Sequence, residues 1–139
     1  MGGVMLETRF PFIEALEKLS NLGVEQAFLG AAFADNRIFQ KEDQLRPDAF
    51  ADPVHGDIWR MARRMVDEGH EVTPVTLAGR IEGVDSGILA HIAASMVSTL
   101  NAPAYAEQIA DLANRRSLVS SVEYALENAT DFDRPGDEI

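Results

Sequence analysis

The chain contains no cysteine. Disulfides, cysteine-ligated zinc, iron–sulfur clusters and thiol nucleophiles are therefore excluded together, while the redox compartment stays unread. It has no apolar run of the roughly eighteen positions that a membrane span requires. The first stretch carries Glu7, Arg9, Glu14, Glu17 and Lys18 where a secretory core would be apolar. A cytoplasmic protein with no membrane partner is expected. Basic residues are few, 12 Lys and Arg against 23 Asp and Glu for a formal net charge of −11. Such a field repels phosphates and argues against unspecific adhesion to nucleic acid. The cations that do gather are Arg60, Arg63 and Arg64 on one expected helix and the adjacent Arg115 and Arg116 on another. Solvated helix faces are the plainer account of both.

Catalytic signatures are missing as well. A nucleotide-hydrolysing motor needs a glycine-rich loop ending in Gly-Lys-Ser or Gly-Lys-Thr, whose amides wrap the phosphates, and none occurs. His55, His70 and His91 lack the i, i+4 spacing that places two imidazoles on one helix face for zinc. No serine stands beside them in a Gly-x-Ser-x-Gly frame. Asp131-x-Asp133 before Gly136 has the outline of a calcium loop, but Pro135 takes a ligand position and the closing glutamate is missing. No catalytic residue, cofactor or metal site is expected.

What remains is 139 residues, 46% hydrophobic and 25% charged, enough for one hydrophobic core in an ordinary globular domain. Almost nothing alternates with the two-residue period of a strand, and helix punctuation is dense. A first helix from Pro11 to Ser20 sets Phe12, Ile13, Leu16 and Leu19 on one side. A second begins near Val24 and is broken at Asp35-Asn36, and a short third runs from Arg37 to about Asp43. Asp52-Pro53 is the best start signal, a carboxylate for orphan amides followed by a residue preset for the first helical position. From there Val54, Ile58, Met61, Ala62 and Met65 recur at helical spacing until Gly69. Thr73-Pro74 repeats the device for a short helix ending at Gly83, and Ser86 is the expected cap of the next, with a stripe from Ile88 to Leu100. The longest helix runs from about Pro103 to Ala129. The expected fold is all-α, a compact bundle of short helices followed by a long antiparallel hairpin from Ser86 to Ala129. Residues 130–139 are acidic, carry Pro135 and Gly136, and are expected to be a linker.

A helix-turn-helix is a rival for Thr76 to Ile92. Its recognition helix would start near Asp85, yet Val84 to Leu100 holds no lysine or arginine, the wrong chemistry for approaching phosphates and bases.

Three segments carry a more specific likeness. They are Val24-Glu25-Gln26-Ala27-Phe28-Leu29-Gly30-Ala31; then Leu45-x-Pro47-Asp48-x-Phe50-x-Asp52-Pro53-x-His55-x-x-Ile58; then Val75-Thr76-Leu77 with Asn101, Tyr105-Ala106, Ile109 and Arg115-Arg116-x-Leu118. In order and spacing this set resembles the N-terminal domain of the DnaB-type replicative DNA helicases, over roughly Val24 to Ala129. The connection from Glu82 to Gly87 is shorter than the family's loop, and the leading helix is not part of the usual match.

The resemblance implies a collar domain over residues 24–129, an N-terminal extension with one helix at 1–23, and an acidic linker at 130–139 toward a motor. It implies self-association, as a dimer or in a hexameric ring, and docking of primase, with a helicase loader as a further candidate partner. Direct DNA binding by the isolated domain is not implied. Tyr105, Ile109, Leu112 and Val119 are candidates for the apolar seam of self-contact, with Arg116 and Tyr105 at its rim. The alternative is that the seam residues close the domain's own core. Gly30, Phe50, Asp52, Pro53 and Ile58 are expected to be structural, and Trp59 to be core. A motorless, phage-type regulator or decoy that joins a helicase ring is the competing function.

Overall fold

The computed structural model describes residues 11–133 and Pro135. The start of the N-terminal extension, and Arg134 with residues 136–139 of the acidic linker, lie outside the described residues. The described chain is helical with no strand. Helix α1 covers 11–18. It is followed by α2 (Leu22–Ala34), α3 (Arg37–Lys41), a 3-10 turn at Pro47–Ala49, α4 (Pro53–Asp67), α5 (Pro74–Leu77), α6 (Ser86–Ala94) and α7 (Ala102–Ala129).

Local chemistry explains the boundaries. Asn21 starts α2 by accepting from the Val24 amide at 3.1 Å, and Asp52 starts α4 by accepting from the Val54 amide at 2.9 Å. Thr73 and Thr76 close a reciprocal capping box on α5. The cap of α6 is Asp85, whose carboxylate takes the Ile88 amide at 2.9 Å. Ser86, the expected cap, is the first helical residue instead, because the carboxylate one position earlier already reaches the orphan amide. Helix α5 is also shorter than expected, since the chain leaves it at Ala78 and turns through Gly79 at φ +79°.

The described residues fall into two compact units, 21–111 and the pairing of 11–20 with those that follow 111. The larger unit holds the aromatic core. Trp59 is fully buried, with the rings of Phe28 at 5.2 Å, Phe39 at 5.3 Å and Phe50 at 6.0 Å. Its indole N–H donates to the Leu45 carbonyl at 2.8 Å, so the one polar atom of the ring is satisfied inside the core. Helix α6 packs chiefly on α2 and then on α5. The apolar stripe of α6 is thus turned mainly into the bundle, with Leu89 and Ile92 buried. Gly30 explains how close α2 and α6 come: a Cβ there would lie 2.6 Å from the Ile92 carbonyl oxygen. Gly56 does the same for α4, where a Cβ would stand 2.5 Å from the Pro47 carbonyl oxygen.

In the smaller unit, the Arg116 guanidinium donates to the Leu19 carbonyl at 2.7 Å, satisfying a backbone acceptor just past the end of α1.

Candidate interaction site

Two surfaces stand out, one in each unit, and both depend on how helices start and which faces they bury. In the larger unit, Glu25 of α2 and His55 of α4 are only 2% and 3% exposed. Glu25 Oε1 lies 2.8 Å from His55 Nδ1, Oε2 accepts the Ala51 amide at 2.7 Å, and Oε1 also accepts the Asp52 amide at 3.3 Å. A buried carboxylate is tolerable only when its lone pairs are filled in this way. The arrangement ties α2 to the entry of α4, so Asp52 and Pro53 are held where they start the helix.

Beside this pair lies a groove of about 510 Å3 between the first turns of α4 and α6. Val54, Ile88 and Ile92 supply its apolar surface, Asp52 and Asp85 its carboxylates, and His55 and His91 its imidazoles; no lysine or arginine lines it. Each aspartate spends Oδ1 on its own helix cap. Neither forms an ion pair with a lysine or arginine among the described residues.

Helix α7 carries the second surface. Ala102, Ala106 and Ile109 are buried. Ile109, a candidate seam residue, is therefore core: at 2% exposure it has no area left for a partner. Tyr105, Leu112, Arg116 and Val119 are half-buried. Exposure rises beyond them, with Leu118 at 67%, Val122 at 51% and Leu126 at 40%. These three recur every four residues and so form one stripe. Residue-by-residue pattern alone missed the stripe because two apolar faces run side by side on α7, and only burial separates them.

Phe50 and Ile58 are buried, Asp52 and Pro53 occupy the cap and first turn of α4, and Gly30 lies at the α2–α6 approach. Sequence reasoning missed Gly56 and the pairing of Glu25 with His55. The second had a signal, a Glu and a His inside apolar helical stretches, but not one that joins positions 30 apart. The basic residues of α4 are mostly engaged locally: Arg60 with Asp57 at 3.0 Å, Arg64 with Glu68 at 3.4 Å, and Arg63 over the Trp59 ring at 5.6 Å. On α3, hydrogen bonding from the Arg37 guanidinium lowers the Asp35 carboxyl to about 2. Among the described residues no group of three or more His, Asp or Glu side chains could hold a metal ion. No helix among them is long and apolar enough to cross a membrane.

The sequence profile of the DnaB-like helicase N terminal domain matches residues 17–111. The chain belongs to this family. A DnaB-like N-terminal domain also accounts for the relatives in sequence. The replicative DNA helicase DnaB of Rickettsia typhi is 30% identical over 120 residues, covering 79% of this chain and 24% of that protein. The DnaB proteins of Rickettsia prowazekii and Rickettsia conorii match over the same shares at 30% and 28% identity. The chain thus spans about a quarter of the length of these relatives. In structure it is similar to the N-terminal domain of DnaB helicase from Mycobacterium tuberculosis, with a TM-score of 0.70 and 22% identity over 78% of this chain and 84% of that one. That likeness is one of fold. The DnaB-like match spans the segment in which the helix-turn-helix alternative was sought, and it ends at the same residue as the larger compact unit.

Proposed function

We propose that this domain is the N-terminal interaction module of a replicative DNA helicase, one that organises the ring and docks primase without catalysis of its own. The observation that carries the proposal is the agreement between the family match, 17–111, and the compact unit 21–111. Most of the family-matching segment lies in one compact unit, and its framework of Trp59, the Glu25–His55 pair and the close approach at Gly30 is architectural. In this reading residues 24–129 are the collar, 1–23 an N-terminal extension, and 130–139 the beginning of an acidic linker toward a motor, in a cytoplasmic replication protein.

Self-contact is assigned to α7, through the exposed stripe of Leu118, Val122 and Leu126, with Leu112, Arg116 and Val119 of the same unit beside it. Apolar residues repeating at helical spacing on an exposed face supply the area that helix pairing uses. Sedimentation equilibrium tests the assignment. Concentration-dependent association that Val122→Asp abolishes, with helicity kept, supports it; a monomer at all concentrations overturns it.

A further inference from the structure

We propose that the groove between the first turns of α4 and α6 docks a partner-protein segment in which a lysine or arginine adjoins an apolar side chain. This assignment does not rest on the helicase reading.

The lining holds two carboxylates and no lysine or arginine, with the Gln26 amide beside them. Asp52 and Asp85 each keep Oδ2 free of the caps that occupy Oδ1. His55, 3% exposed, lies between the Glu25 carboxylate at 2.8 Å and Asp52 Oδ2 at 3.8 Å. The free carboxylate oxygens match the donor-only ammonium of lysine or guanidinium of arginine.

Val54 and Ile88, beside the buried Ile92, supply an apolar surface for the neighbouring side chain. No lysine or arginine in the lining neutralises the carboxylates. At a net charge of −11 the whole chain also draws cationic partners toward it.

The test is a methyl and amide NMR titration of the 139-residue chain with Nα-acetyl-leucyl-arginine amide, using Nα-acetyl-leucyl-glutamine amide as the uncharged control. Saturable shifts at Val54, Ile88 and Gly87 are expected with the arginine probe. Asp52→Asn and Asp85→Asn should each weaken binding by about fivefold, and both keep a good helix cap, so the fold is unaffected. Equal responses to the two probes, no saturable shift, or no effect of either substitution overturns the proposal. So does concentration dependence of the same signals without probe, which assigns the groove to a second copy of the chain.

Discussion

Glu25 Oε1 and His55 Nδ1 are 2.8 Å apart in the interior, with the same carboxylate accepting the two amides that lead into α4. One side chain thereby satisfies three donors at the junction of two helices. Removing it leaves all three unfilled, and Glu25→Ala is expected to cost roughly 3–5 kcal/mol, a large part of the stability of a domain this size. His55→Ala should cost less than Glu25→Ala, because the carboxylate keeps both amides. Chemical denaturation monitored by the fluorescence of Trp59 measures both, and equal, small losses would contradict the arrangement.

Backbone proximity makes a second prediction. Gly56→Ala and Gly30→Ala each place a methyl against a carbonyl oxygen that cannot swing aside, at 2.5 Å and 2.6 Å. Each should lower stability by about 1–3 kcal/mol. Gly87→Ala, whose added carbon meets only the Asp85 side chain at 3.2 Å, should cost less. Thermal melts of the three variants rank them.

Burial divides α7 into two kinds of position. Ile109→Asp introduces an unpaired charge into the core and should unfold the larger unit, seen as loss of cooperative melting. Leu118→Asp, at an exposed position, should leave the melt within about 0.5 kcal/mol of the parent while weakening self-association. An unfolded Leu118→Asp would contradict the division.

Asp35 supplies a pH dependence. Its carboxyl is lowered by Arg37 from 3.8 to about 2. A depressed carboxylate contributes stability above its unfolded value, and that contribution is lost as pH falls from near 4 through about 2. Arg37→Gln should return the Asp35 carbon resonance toward an ordinary aspartate titration, and an unchanged midpoint would refute the pairing.

Helix starts and stops were legible in the sequence wherever one residue type has one physical use. Asp52-Pro53 starts α4 and Gly69 follows its end with φ +85°, whereas Gly83, expected to end α5, is a turn well past Leu77. What each helix packs against was not legible. The stripe on α6 specifies an apolar face but not its partner, and that partner is mainly α2, distant in sequence. The core role of Ile109 and the exposure of Leu118 were equally hidden, because a helix of 28 residues with apolar positions on several sides carries no mark of which side is covered. The Glu25–His55 pair needed the fold to bring its members together.

The account rests on this chain being a docking module, and the most direct measurement is a calorimetric titration of the 139-residue domain with the helicase-binding domain of the primase from the same replication system, repeated at raised salt. Saturable binding is the predicted result, weakening with salt if charge steers the encounter. No heat and no complex at low salt, with both proteins folded, would contradict primase docking.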